Sequence, residues 1–151
     1  EEWYEWVLSE AKAKRVFFVV SLVRNNSIDT HGIVPAIGEG IASGLRKVIT
    51  HLDAARPSEC RVLLDGGLKA PEEYMNQQTI IRGDEKEPII ALASIMAKVT
   101  RDRHMQDLAT KHPLYGFEHH KGYGTELHYE NLRKHGISAV HRKTFLKNLV
   151  V

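Results

Sequence analysis

Apolar residues fall at Val34, Ile37, Ile41, Leu45, Val48 and Leu52, in steps of 3, 4, 4, 3 and 4. That period predicts an amphipathic helix from Val34 to Leu52. Pro35 suits its first turn, and Gly40 and Gly44 permit close packing on a neighbour. Glu1 to Lys14 has the same character, with Trp3, Trp6, Val7 and Ala11 at helical spacing. Between these helices runs Val16 to Val23, VFFVVSLV, an almost unbroken apolar stretch of β-branched and aromatic residues. It predicts a strand covered on both faces. Arg24 to Asp29 is polar and reads as a turn.

A loop with Pro57 leads to a short buried strand, Arg61 to Asp65, which stops at Gly66-Gly67. Thirteen residues, Gly66 to Gln78, separate it from a second strand over Thr79 to Arg82. That length permits the crossover a parallel pair requires. Pro88 opens another helix. Its start, Ile89 to Val99, is apolar nearly all round apart from Ser94 and Lys98, which predicts deep burial and reads those two as satisfied core polar groups. Lys98, Arg101, Asp102 and Met105 mark the face that reaches the surface. Pro113 ends the segment, Gly116 to Gly124 reads as a loop, and Glu126 to His135 as a helix closed by Gly136. The order of elements predicts an α/β fold in a single domain over residues 1–151.

Composition narrows the classes. Hydrophobic residues make up 42% of 151, too many for a disordered chain. One cysteine, Cys60, excludes an internal disulfide framework and suits a reducing, cytoplasmic setting. A lone cysteine among nine histidines also argues against a structural zinc finger. No apolar run approaches the roughly 20 residues of a bilayer span, and the acidic start lacks the pattern of a signal peptide. The net charge is only +2, but Lys98 to Lys147 holds most of the histidines and many of the cations. Such a segment suits a phosphate-rich partner, or an ordinary solvated surface.

Two carboxylates stand out. Asp65 ends a strand beside two glycines that let a ligand approach, although aspartate is also common in turns. Asp84 follows Gly83 and precedes a helix, where it suits either a metal or a first-turn position. If the strands are parallel neighbours, the two share one edge, where open α/β sheets place their sites. Carboxylates suit Mg²⁺, and two at adjoining strand ends form a plausible half of a two-metal phosphodiester site. The loop HHKGYGT offers Gly122 and Gly124 for close backbone approach, Lys121, His119 and His120 as donors, and Tyr123 as a flat face. It meets neither a dinucleotide fingerprint nor a phosphate-loop pattern. His141, Arg142 and Lys143 form a further basic cluster able to grip phosphates or simply to be solvated.

VLLDGG, IIRGD followed by ALASIMAKVTRDRHM, HPLYGFEHHKGYGTELH and HGISAVHRKTF, in that order, resemble ribonuclease HII, the type 2 ribonuclease H. SIDTHGIVPAI is a weaker match, and the resemblance covers essentially the whole chain. It implies a ribonuclease H-like mixed sheet with flanking helices. It also implies cleavage of RNA in RNA–DNA hybrids and at ribonucleotides embedded in duplex DNA, as in ribonucleotide excision, with Mg²⁺ or Mn²⁺. The third and fourth of the family's four carboxylates fall on Asp65 and Asp84. The tyrosine that stacks near the junction nucleotide falls on Tyr123, and Asp102 takes a structural place. The family's first two carboxylates lie in a DEAGRG motif on the first strand, which this sequence does not contain. Pro88 and Leu92 stand where the family usually has small or polar residues. The expectation is an N-terminally incomplete domain, inactive alone, that self-associates or pairs with a missing segment. A non-catalytic hybrid-binding module and a fragment that completes another chain are the alternatives.

Overall fold

The computed structural model describes residues 1–52 and 56–147. The elements are α1 (Glu2–Lys12), α2 (Asn25–His31), α3 (Ile33–Leu52), β1 (Val62–Asp65), β2 (Gln77–Ile80), α4 (Gly83–Lys86), α5 (Pro88–Lys111), α6 (Phe117–His120) and α7 (Glu126–His135). Short 3₁₀ turns cover Pro57–Glu59, Pro113–Tyr115 and Lys143–Leu146. The chain is thus of the α/β class, mostly helical with a small sheet. Part of the loop expected after α3, residues 54 and 55, and the tail beyond Lys147 lie outside the described residues.

β1 and β2 are parallel, with Val62 opposite Gln77 and Asp65 opposite Ile80. The crossover length that permitted a parallel pair is used for one, but the second strand begins two residues earlier than expected and is the polar run QQTI. Arg82 adopts the left-handed conformation, φ 56° and ψ 47°, which turns the chain out of the strand. The crossover holds itself together with side chains. Gln77 Oε1 accepts from the Ala70 amide at 2.8 Å, Gln77 Nε2 donates to the Tyr74 carbonyl at 3.1 Å, and the Thr79 hydroxyl donates to the Leu68 carbonyl at 2.8 Å. These bonds satisfy loop backbone that no helix satisfies. Among the described residues the sheet is the two-stranded parallel pair β1–β2, flanked by helices.

The apolar residues collect in three clusters. Val62, Leu64, Ala70 and Tyr74 pack against Ile41, Leu45 and Ile49, so the middle of the expected α3 stripe lies on the sheet while its ends, Val34, Ile37 and Leu52, are exposed. Tyr4, Val7 and Met96 join α1 to α5, with Val16 and Phe18 alongside. Ala109, Tyr115, Phe117 and Leu132 join the end of α5 to α6 and α7.

Three expectations are corrected. Val16 to Val23 joins no ladder among the described residues, and Phe17 and Leu22 are exposed. Its apolar character is used instead against helices. A side-chain carbon at Gly40 would lie 3.2 Å from Val23 Cγ2, and one at Gly44 would lie 3.5 Å from the Ser21 hydroxyl. The small residues of α3 thus let this segment lie close. Residues 25–31 form a helix rather than a turn, capped by Gly32 at φ 89°. The Asn25 amide donates to the Ala139 carbonyl at 2.8 Å, so a distant contact holds a helix with no apolar stripe. Finally, α5 is not deeply buried. Only Ile90, Met96 and Ala109 are buried, while Ile89, Ala93, Ser94 and Lys98 are exposed. Ser94 is therefore not a core group, and Lys98 pairs with Asp102 at 3.3 Å at the surface.

Candidate carboxylate and nucleic-acid site

Asp65 is the last residue of β1, and the Gly66 amide continues the ladder by donating to the Ile80 carbonyl at 3.0 Å. Gly66 then turns at φ 63°. The carboxylate of Asp65 is fixed from the neighbouring strand's exit: its Oδ1 accepts from the Gly83 amide at 2.7 Å. Glycine at position 83 leaves room for two side chains to close in. A side-chain carbon there would lie 2.8 Å from Ile90 Cδ1 and 3.3 Å from Asp65 Oδ1. Asp84 follows directly in the first turn of α4 and is exposed. The parallel register and the Gly83 contact thus bring Asp65 and Asp84 to one edge. Asp84 lines a shallow groove of about 250 Å³ with Glu85, Lys86, Glu87, Pro88 and Ala91.

Both carboxylates present hard oxygen donors to solvent, the donor type that suits Mg²⁺ or Mn²⁺. Among the described residues no group of three or more His, Cys, Asp or Glu side chains converges on a metal position. Asp65 and Asp84 by themselves therefore supply at most part of a cation's ligand shell.

The remaining candidate residues lie on the turn after α6, which packs on α5 at Arg101 and Met105. The stretch expected to be all loop contains α6 itself, Phe117–His120. Lys121 and Gly122 follow at φ 50° and 77°. Gly122 abuts Met105, where a side-chain carbon would lie 3.2 Å from Cε. At Gly124 the corresponding atom would lie 3.0 Å from the Tyr129 hydroxyl. Tyr123 is 58% exposed, and the Arg101 guanidinium lies 4.6 Å from its ring centroid. That geometry is a cation–π contact on one ring face. Lys121 Nζ donates to the Glu118 carbonyl at 2.7 Å, so this cation folds back on its own turn. His119 is exposed beside Glu118.

Two histidines sit differently from their expected use as donors or phosphate grips. His120 is buried, with both ring nitrogens engaged within the loop, at Tyr115 and Gly122. His141 is 5% exposed, with its ring 4.7 Å from that of Tyr115 and 5.4 Å from that of Phe117. A ring so placed packs the interior, and it is corrected from a surface grip to a core group. Burial, and after it the neighbouring His128, push its pKa down to about 4. Arg142 stands 4.6 Å over Phe145. The following turn is capped by Asp29, whose carboxylate accepts from the Thr144 amide at 2.9 Å and hydroxyl at 2.7 Å. Those bonds hold the Asp29 pKa below the usual carboxylate range.

His128 was not singled out by the sequence. It is buried on α7, one turn before the fully buried Leu132. A histidine four residues from a core leucine was the available signal.

The chain is an α/β protein with paired carboxylates at a sheet edge and a glycine-flanked aromatic turn. The family model described as Ribonuclease HII matches residues 10–148. The chain belongs to the ribonuclease HII family. It is 41% identical over 147 residues to a ribonuclease HII of Endomicrobium trichonymphae, covering 91% of this chain and 67% of that protein. It is 40% identical over 152 residues to one from Clostridioides difficile, covering 95% and 56% respectively. A ribonuclease HII of Caldicellulosiruptor bescii is 51% identical over 89 residues, covering 59% of this chain and 43% of that protein. The chain spans roughly two-fifths to two-thirds of the length of these curated relatives.

Proposed function

We propose that the chain acts as a single ribonuclease H-like domain in hydrolysis of RNA–DNA hybrids and of duplex DNA carrying ribonucleotides, in the cytoplasm. It supplies two carboxylates and the aromatic turn of a divalent-metal endoribonuclease. The observation that carries this reading is the delivery of Asp65 and Asp84 to one edge through the Gly83 contact.

When bound, Mg²⁺ or Mn²⁺ supplies activation of the attacking water and stabilisation of charge on the phosphate and the leaving 3′ oxygen. Asp65 and Asp84 hold that charge in place. Asp65 is oriented by the Gly83 amide, so its second oxygen remains for the cation. Tyr123 offers its ring to the nucleotide at the RNA–DNA junction, and Arg101 steadies the face turned away. The backbone of Gly122 and Gly124, with Lys121 and Arg142, meets phosphates on either side. No part is assigned to the buried His141 ring.

Two carboxylates without a third partner among the described residues make a weak site. We therefore expect the 151-residue chain to be inactive alone and to require the family's other two carboxylates from elsewhere. A second reading, a piece that completes another chain, is favoured by β1, which pairs on one side only among the described residues. A free strand edge readily pairs with a second copy or an added segment. The test is to assay the purified chain on a duplex carrying one ribonucleotide, with Mg²⁺ and with Mn²⁺. The assay is repeated after mixing with a segment bearing a DEAGRG motif. Cleavage only in the mixture supports the proposal. Family-like cleavage by a monomer of the chain alone refutes the dependence on four carboxylates. No cleavage and no duplex binding in either case refutes the nuclease reading.

A further inference from the structure

Tyr123 stands on a turn whose backbone is tied off by side chains. Its carbonyl accepts from His128 Nδ1 at 2.9 Å. One residue earlier, the Gly122 amide donates to His120 Nδ1 at 3.1 Å. Before that, the Lys121 carbonyl accepts from Arg101 Nη2 at 2.8 Å. The rings of His120 and His128 are stacked, with centroids 4.2 Å apart and planes 13° from parallel. Both are buried, at 6% and 7% exposure.

The partners dictate how each ring is protonated. A carbonyl only accepts and an amide N–H only donates. His120 Nε2 lies 2.7 Å from the Tyr115 carbonyl, so it carries the hydrogen, and Nδ1 receives the Gly122 amide. His128 must be the opposite tautomer, with its hydrogen on Nδ1 facing the Tyr123 carbonyl. Its Nε2 is buried with no hydrogen-bond partner among the described residues. A second proton on His128 would be stranded in the interior. Burial accordingly lowers the His128 pKa.

We propose that His120 and His128 are positioning residues for Tyr123: two neutral, stacked imidazoles of opposite tautomer hold the 121–123 turn so that the phenol is presented in one orientation. The proposal rests on Tyr123 meeting the nucleic acid, as argued above. The turn carries glycine at position 122 and two residues at positive φ, so its backbone has many alternatives to lose. The histidine pair removes them before binding, and Arg101 covers one ring face while the other stays open.

The test measures binding of a fluorescently labelled duplex carrying one ribonucleotide to the 151-residue chain and its variants. Tyr123→Ala is expected to weaken binding about ten- to hundredfold. His128→Leu, which removes the donor at similar size, is expected to weaken it about two- to tenfold. His128→Asn, whose amide N–H can take the place of Nδ1–H, is expected to recover most of that loss. His128→Leu should add nothing once Tyr123 is Ala, whereas a general structural defect would act in both backgrounds. Ring ¹⁵N spectra of the parent should show hydrogen on Nε2 of His120 and on Nδ1 of His128. Either ring in the other tautomer overturns the proposed clamp. A weak Tyr123→Ala with an unaffected His128→Leu overturns the positioning role. An unaffected Tyr123→Ala overturns the reading of Tyr123 itself and with it the presentation of the phenol. If His128→Leu does not fold, the decision passes to His128→Asn and the ring spectra. Parent-like binding by the Asn variant supports the clamp, and a loss as large as that of Tyr123→Ala overturns it.

Discussion

Acidification from neutral pH should destabilise this protein through His141, by an amount the structure sets. Its Nδ1 receives the Ser138 amide at 3.2 Å, and its Nε2 is buried with no hydrogen-bond partner among the described residues. Burial, then the adjacent His128, depress its pKa from 6.5 to about 4. Above pH 6.5 the ring is neutral whether the chain is folded or not, and it costs nothing. Below that value the unfolded chain takes up a proton that the folded chain refuses, so stability falls as pH falls. A depression of about 2.5 units at about 1.4 kcal/mol each gives about 3.5 kcal/mol in full, of which about 3 kcal/mol is lost by pH 4. That is a large share of the roughly 5–15 kcal/mol typical of a domain. His128 is shifted in the same direction and adds to the loss. The assay is urea unfolding at about pH 7, 5.5 and 4, for the parent and for His141→Asn. The Asn carbonyl can still accept from Ser138 but does not titrate. The variant should be less stable at neutral pH, because ring packing is lost, yet its stability should fall with acid by about 3 kcal/mol less than the parent's. Equal losses in both proteins would show that His141 titrates as a solvated ring and would refute the buried placement.

Other outcomes follow from the site. In an enzyme completed by the two other carboxylates, Asp65→Asn or Asp84→Asn should abolish cleavage while circular dichroism stays that of the parent. In Asp65→Asn the new side-chain carbonyl could still accept from the Gly83 amide, so a folded variant cutting at the parent rate would remove Asp65 from the site. Tyr123→Ala should slow cleavage at a single embedded ribonucleotide about ten- to hundredfold, the scale of one lost stacking contact. An unchanged rate below saturation would place the ring outside the site. Duplex affinity should fall steeply with salt if Arg142, Lys121 and their neighbours meet phosphates, and a flat response between low and physiological salt would count against that surface.

Local chemistry determined much of this molecule. The 3-4 spacing of apolar residues specified α3, because only one helix face can lie on the sheet. Thr125 and Gly136 bounded α7 as a cap and a stop, with the Thr125 hydroxyl accepting from the His128 amide at 3.3 Å. The crossover length allowed a parallel pair, and the register that placed Asp65 opposite Ile80 then decided the shared edge. What the sequence left open depends on partners distant along the chain. Val16 to Val23 has the composition of a covered strand, but a ladder needs a second strand beside it, and helices α1, α3 and α5 receive its side chains instead. The apolar start of α5 predicted burial, yet composition does not say whether any element lies on a given face, and Ile89 remains exposed. The histidines show the same division. As letters, His120, His128 and His141 are equally suited to solvent, phosphate or core. Only packing against Phe117, Tyr115 and one another makes them interior groups, because burial and hydrogen-bond direction, not residue type, decide which ring nitrogen carries the proton.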